Sequence, residues 1–132
     1  MLNVYLAGPI NGCTDEECKA WRAEARRMLE PIHAVIDPMD FDCRGLEDHM
    51  ACDIVKHDLM RLDQADIVLV NAQRPSWGTA MELVYARQGG KPAIAFVGLP
   101  RGSVSPWLRG HLSKVCGTLE QACFEIVNFY QG

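Results

Sequence analysis

The sequence predicts an α/β fold in which one parallel sheet lies between two layers of helices. Short apolar segments alternate with longer segments whose apolar residues recur at helical spacing. Glycine and proline pairs such as Gly8-Pro9 and Gly89-Gly90 separate these segments. Strands joined by helices form right-handed βαβ units, so five such strands predict a five-stranded parallel sheet covered on both faces. We expect a flavodoxin-like (Rossmann-like) three-layer sandwich.

The first two elements carry clear boundary signals. Residues 2–7 are apolar and end at Gly8-Pro9, which is typical of a buried strand that enters a loop. Thr14 or Asp15 can cap the following helix, which should end before Pro31.

The later elements follow from the same signals. Acidic residues in the early turns and apolar residues at helical spacing predict a helix over residues 46–64. Residues 66–70 form an apolar segment bounded by polar residues, which predicts a buried central strand. The other predicted elements are strands at 34–36, 92–97 and 114–117 and helices at 78–88, 106–112 and 119–130, with an irregular stretch from 37 to 45.

Composition and charge narrow the classes of function. The chain has 132 residues, of which 48% are hydrophobic and 23% are charged, and this suits a single domain over residues 1–132. A net charge of −4 argues against a binder of nucleic-acid polymers or membrane surfaces, because such binders need clustered basic residues. The N-terminus lacks a leader-like pattern and no apolar run approaches the roughly 20 residues that span a bilayer, so a cytoplasmic location is expected.

The six cysteines are expected to be reduced and to pack as small apolar side chains. Their spacings do not fit a CxxC knuckle, and nothing else in the sequence supports export. His49, Cys52 and His57 are an alternative metal cluster, but His57 falls off the helical face that the other two share. We expect no metal ion and no cofactor.

Two loops could hold an anion at the carboxyl ends of the strands, where ligands bind in this type of sheet. Residues 8–12 enter a helix and match neither GxGxxG nor a P-loop, so on their own an ordinary turn that needs glycine is the favoured interpretation. In the second loop Ser76 and the backbone N–H of Gly78 can face an anion, although a simple N-cap is the plain alternative. Glu82 lies about one turn further along and could be a solvated carboxylate.

Two further polar side chains lie near these loops in the predicted fold. Asp58 could pair with a basic residue on a wet helix face or lie at the mouth of the sheet, since Leu59 and Met60 look buried. Tyr5 in the first strand needs a hydrogen-bond partner if it is buried, and a carboxylate would serve.

Taken together, four segments resemble the nucleoside 2-deoxyribosyltransferase superfamily. They are YLAGP (residues 5–9), Asp58, ADIVLV (65–70) and PSWGTAMELVYA (75–86), in the family's order. Val84 replaces the second glycine of the family's G-x-x-x-E-L/I-G-x-A segment. The resemblance implies that Glu82 is the nucleophile, that Tyr5 holds its carboxylate and that Asp58 lies near the leaving base.

Within the superfamily, the chain is most similar to the 2'-deoxynucleoside 5'-monophosphate N-glycosidases. Ser76 stands where transferases of free nucleosides carry an acidic residue, which would repel a phosphate. The segment GSVSPWLRG (102–110) resembles the one that sends a serine, here Ser105, into the neighbouring subunit's phosphate site. A homodimer or a dimer of dimers is therefore implied. Ile10 matches the residue near C2' in deoxy-preferring members, whereas Asn11 departs where some relatives have Arg.

The resemblance implies hydrolysis of the N-glycosidic bond of 2'-deoxynucleoside 5'-monophosphates to free base and 2-deoxyribose 5-phosphate, through a glycosyl-Glu82 intermediate. Such a reaction belongs to nucleotide metabolism or salvage. Base exchange between free deoxynucleosides and non-catalytic nucleotide binding are the alternatives. Base contacts are expected from residues 38–45 and His49. The implied substrate-binding residues are Gly8, Pro9, Ile10, Asn11, Gly12, Ser76, Gly78, Met81 and Ser105.

Overall fold

The computed structural model describes residues 1–100 and 103–130, and within these ranges five strands alternate with five helices. Gly102, the first residue of the GSVSPWLRG segment, lies outside the described residues. Of the helices described, none combines the length and apolar composition that crossing a membrane requires. The strands are β1 (Asn3–Ala7), β2 (Ala34–Ile36), β3 (Ile67–Asn71), β4 (Ala93–Phe96) and β5 (Lys114–Cys116), and the helices are α1 (Asp15–Leu29), α2 (Glu47–Gln64), α3 (Trp77–Gln88), α4 (Pro106–Arg109) and α5 (Leu119–Phe129).

The five strands form one sheet in the order β2-β1-β3-β4-β5, and every pairing is parallel. The α/β fold with a five-stranded parallel sheet is therefore confirmed. Most boundaries lie within one residue of the predicted ones, but α4 ends at Arg109 rather than at residue 112. The stretch after β2 also contains a short 3₁₀ turn, Pro38–Asp40.

Alternate residues of β1 face two separate cores, because successive side chains of a strand point to opposite faces of a sheet. Val4 and Leu6 pack into the core that α1 and α5 cover. Tyr5 and Ala7 pack into the core that α2 and α3 cover, together with Leu83. This alternation carries the Tyr5 hydroxyl toward α3.

The end of β1 packs closely against α1. Thr14 caps α1 in a capping box, accepting from the Glu17 N–H at 3.1 Å while the Glu17 side chain accepts from the Thr14 N–H at 2.8 Å. At Gly8, an added Cβ would lie 2.5 Å from Cζ2 of Trp21, which is closer than any side chain could approach. Glycine at this position therefore allows the loop after β1 to lie directly on α1.

A buried arginine joins the ends of β1 and β2. Arg22 is 2% exposed, and its guanidinium donates to the carbonyls of Leu6 at 3.1 Å and Gly8 at 3.2 Å. The same group pairs with Asp37 at 2.9 Å and lies 4.6 Å from the ring centroid of Trp21. A buried cation of this kind is tolerated because it is paired with a carboxylate and both of its terminal nitrogens donate hydrogen bonds, whereas its Nε has no partner among the described residues.

Helix α2 buries little of its surface, since Leu62 is the one fully buried side chain among its 18 described residues. The prediction that Met60 is buried is wrong, because Met60 lies on the outer face of α2 and is 54% exposed, whereas Leu59 is half-buried. Cys52 on the same helix is also exposed, so the expectation of packing thiols fails for it. Four other cysteines are buried, namely Cys18, Cys43, Cys116 and Cys123.

We predict that Asp37→Ala lowers the free energy of unfolding by about 3 kcal/mol, because it leaves the Arg22 charge buried without its partner. Denaturation by urea measures this change. Glu24→Ala is the matched control, since it breaks an exposed pair with Arg27 and should cost less than about 1 kcal/mol. Equal losses in the two variants would contradict the role assigned to the buried pair.

Candidate active site

A cleft of about 720 Å³ opens beside the loops that follow β1 and β3, with α2 and α3 as its walls. Strand order reverses here, because β2 lies on one side of β1 and β3 on the other. The volume is within the range of small-molecule sites. Nine of the residues that line the cleft belong to the predicted site: Gly8, Pro9, Ile10, Asn11, Asp58, Ser76, Gly78, Met81 and Glu82.

Glu82 on α3 lies against the first strand. The Tyr5 hydroxyl donates a hydrogen bond to Oε2 of Glu82. Burial raises the pKa of the Glu82 carboxyl to about 7, and the nearby Asp58 charge acts in the same direction. The hydrogen bond from Tyr5 and the charge of Arg22 oppose this shift. Glu82 is therefore a carboxylate that changes its charge close to neutral pH.

Tyr5 remains a hydrogen-bond donor throughout the physiological pH range. Burial, followed by the charges of Glu82 and Asp58, raises the pKa of the Tyr5 hydroxyl far above its usual value. A hydroxyl that keeps its proton can hold the Glu82 carboxylate in one orientation. Its position in β1, between two strands of the sheet, fixes the ring.

Asp58 enters the cleft from α2. Burial raises the pKa of its carboxyl above the usual value, although the neighbouring His57 offsets part of the shift. Nδ1 of His57 lies 3.6 Å from Oδ1 of Asp58, and the His57 ring stacks on Phe41 with centroids 4.3 Å apart. Asp58 thus holds a proton more readily than a solvated aspartate does.

The start of α3 combines a cap with open backbone. Ser76 is the N-cap, and its hydroxyl oxygen accepts from the Thr79 N–H at 3.3 Å. An added Cβ at Gly78 would meet nothing within 4 Å among the described residues, so the first turn of α3 is open toward the cleft. The first N–H groups of a helix lack intrahelical partners and attract anions.

Three of the predicted contact positions do not line the cleft. Gly12 lies outside it, and an added Cβ there would be 3.7 Å from Nη2 of Arg74. Ser105 caps α4 and lines a second cavity of about 410 Å³ together with Ser76 of the same chain. His49 is exposed on α2 and does not line the cleft, whereas the 38–45 stretch contributes Cys43 and Arg44.

Sequence reasoning missed two arginines that bear on the site. Arg22 acts through its charge on Glu82 and Asp58. The sequence pattern of α1 did not indicate that Arg22, rather than Arg26 or Arg27, is the arginine buried against the sheet. Arg74 follows β3 and lines the second cavity. Its position two residues before Ser76 was the available signal.

The sequence of the chain matches a known family. Residues 4–126 match the family model of nucleoside 2-deoxyribosyltransferase. The chain belongs to this family. It is accordingly an enzyme that acts on N-glycosidic bonds, by transfer or by hydrolysis.

Individual relatives come from both branches of this chemistry. A Thermofilum pendens protein, named as a candidate 2'-deoxynucleoside 5'-phosphate N-hydrolase 1, is 27% identical over 83% of this chain and 78% of its own. The 2-deoxyribosyltransferase from Bacillus psychrosaccharolyticus superposes with a TM-score of 0.72 at 24% identity, covering 98% of this chain and 92% of that chain. A CMP N-glycosidase from Clostridium botulinum has the same fold, with a TM-score of 0.63 at 16% identity over 95% of this chain and 98% of that chain.

Glu82→Gln should stabilise the protein at pH 8 more than at pH 4.5. The folded-state pKa of Glu82 is raised from 4.5 to about 7, so the folded state binds this proton more tightly than the unfolded state does. Wild-type stability therefore falls, by up to about 3 kcal/mol, as the pH rises from 4.5 through 7, and the glutamine variant avoids this loss.

Denaturant unfolding at the two pH values measures the difference between variant and wild type. Glu120→Gln, on the distant helix α5, should show no such pH dependence. A Glu82→Gln effect of equal size at both pH values would contradict the raised pKa.

Proposed function

We propose that this enzyme hydrolyses the N-glycosidic bond of 2'-deoxynucleoside 5'-monophosphates, releasing the base and 2-deoxyribose 5-phosphate. The observation that carries the proposal is the Glu82 carboxylate, hydrogen-bonded by Tyr5 and lining one cleft with Asp58. A carboxylate nucleophile paired with a second acid is the arrangement that retaining glycosidases use. The name of the Thermofilum pendens relative supports the same reaction.

In the first step, an oxygen of Glu82 attacks C1' of the sugar and the C1'–N bond breaks. The electron pair of that bond passes to the base nitrogen, and Asp58 donates its proton to the leaving base. A glycosyl ester on Glu82 results. The pKa of about 7 leaves a substantial fraction of Glu82 ionised at neutral pH. Burial raises the pKa of Asp58, so a larger fraction of it carries a proton than of a solvated aspartate.

In the second step, water attacks C1' and the ester C1'–O bond breaks. The Asp58 carboxylate accepts the proton of the water, and Glu82 leaves as a carboxylate. The Tyr5 hydrogen bond stabilises this carboxylate as leaving group and as nucleophile. Both groups return to their starting charge, so no other reactant is needed.

Ser76 supports a phosphorylated substrate. A serine at the N-terminus of α3 offers a hydroxyl beside the open N–H groups of the first turn. These groups suit a 5'-phosphate, whereas a carboxylate at this position would repel it. The loop of Gly8, Pro9, Ile10 and Asn11 then lies along the sugar in the proposed complex.

We further propose that the working unit is a homodimer. Large apolar side chains are exposed on α3 and α4, including Trp77 (86%), Met81 (67%) and Trp107 (83%). An exposed apolar surface of this kind at the rim of a cleft favours coverage by another protein surface. A second copy would also bring its own Ser105 toward the open end of the cleft. The single domain and the cytoplasmic location remain predictions from the sequence.

The purified protein should release free base from at least one of the common deoxynucleoside 5'-monophosphates, and Glu82→Gln should reduce the rate by at least a thousandfold, because the nucleophile is lost. Chromatography of the products measures both rates. Glu120→Gln is the control and should retain full activity.

The same assay separates the alternatives. A deoxynucleoside incubated with a second base gives a new nucleoside if the enzyme is a transferase of free nucleosides. Saturable binding without any product would instead indicate a binding module. Activity retained in Glu82→Gln would exclude Glu82 as the nucleophile.

Wild-type protein should sediment as a dimer, and Trp107→Glu should sediment as a monomer, because a charge in the apolar contact is costly to bury. Phe124→Glu is the matched control, since Phe124 is 60% exposed on α5 in the opposite helix layer. A monomeric wild type, measured by analytical ultracentrifugation, would overturn the proposed assembly.

A further inference from the structure

A second cavity, of about 410 Å³, adjoins the cleft at the start of α3. The two cavities share Pro75, Ser76, Trp77 and Thr79, so the N-terminus of α3 lies between them. The cleft alone has a volume of about 720 Å³, which is ample for a nucleoside with one phosphate. A nucleoside monophosphate bound in the cleft, with its phosphate at the N-terminus of α3, would leave the second cavity empty.

The polar groups of the second cavity suit an anion. Thr79 is 4% exposed, and its Oγ1 has no hydrogen-bond partner among the residues described. Buried hydroxyls are almost always paired, so an unpaired one that lines a cavity indicates a missing partner. Asn71 is 7% exposed, and its Oδ1 accepts from the Gln73 N–H at 3.1 Å, which leaves its amide nitrogen as a donor. Both side chains line the second cavity.

Arg74 supplies the positive charge of this cavity. Its Nη1 lies 3.4 Å from Oε2 of Glu17, and the two side chains are 42% and 50% exposed. An ion pair this exposed contributes little stability and is readily exchanged for a stronger anion. The other oxygen of Glu17 already accepts the Thr14 N–H, so Glu17 keeps a partner if Arg74 turns away. The guanidinium is therefore available to a phosphate.

We propose that the second cavity receives the terminal phosphate of a nucleoside 5'-diphosphate, so that 2'-deoxynucleoside 5'-diphosphates are substrates as well as monophosphates. This proposal rests on the proposed function, which assigns the first phosphate to Ser76. The chemistry at C1' is unchanged. The C1'–N bond breaks, water supplies the hydroxyl on C1' and a proton to the base, and 2-deoxyribose 5-diphosphate is the second product.

The test uses the full chain carrying Glu82→Gln, so that ligands bind without turnover, in buffer with a metal chelator. Calorimetry compares the 5'-mono- and 5'-diphosphates of deoxyadenosine, deoxyguanosine, deoxycytidine and thymidine. We expect the diphosphate of the preferred nucleoside to bind at least as tightly as its monophosphate. Adding Arg74→Gln should weaken diphosphate binding about tenfold, the scale of one charge-assisted hydrogen-bonded pair, and monophosphate binding by less than about threefold.

Two further variants control this comparison. Ser76→Ala should weaken both ligands, since both place a phosphate beside it. Arg27→Gln removes an exposed arginine on α1 and should change neither affinity. Thermal unfolding of each variant checks that it is folded.

Weaker binding of the diphosphate than of the monophosphate, or equal weakening of both by Arg74→Gln, would overturn the second-cavity proposal. If monophosphates bind and wild-type enzyme cleaves them while diphosphates do not bind, this proposal alone fails. If no nucleotide binds and none is cleaved, the proposed function fails with it.

Discussion

The buried guanidinium of Arg22 is the constraint on which both the fold and the site depend. It donates hydrogen bonds to the carbonyls at the end of β1 and to the carboxylate of Asp37 after β2. It therefore fixes the loops that follow these two strands relative to each other. Its positive charge also opposes the rise in pKa that burial causes at Glu82, Asp58 and Tyr5. One cation thus sets the shape of the cleft and favours negative charge inside it.

The pKa values of Glu82 and Asp58 are set by burial, which raises them, and by neighbouring hydrogen bonds and charges, which mostly lower them. Burial favours the neutral form of both Glu82 and Asp58, and the Asp58 charge further disfavours ionisation of Glu82. The Tyr5 hydrogen bond favours the charged form of Glu82, and the neighbouring His57 favours the charged form of Asp58. In the proposed reaction the two roles therefore follow from position, since Tyr5 holds the Glu82 carboxylate and Asp58 enters the cleft from α2.

The elements with strong local signals were predictable from the sequence. The apolar segments of β1 and β3 and the capping box at Thr14 specify structure within a few residues, and the resemblance brought Tyr5, Asp58 and Glu82 to one site. The role of Arg22 was not predictable, because several arginines share α1 and only the packed sheet decides which one is buried. The exposure of Met60 and the second cavity were missed for a related reason, since each depends on how separate elements pack together.

The sparse burial of α2 has a consequence for the local stability of the cleft wall. This helix carries Asp58 and forms one wall of the cleft, yet Leu62 near its C-terminal end is the one fully buried side chain in it. Segments that bury few apolar side chains separate from the rest of a protein at a lower free energy than core strands do. We therefore expect the N-terminal half of α2 to separate from the rest of the protein at a lower free energy than the sheet that holds Tyr5.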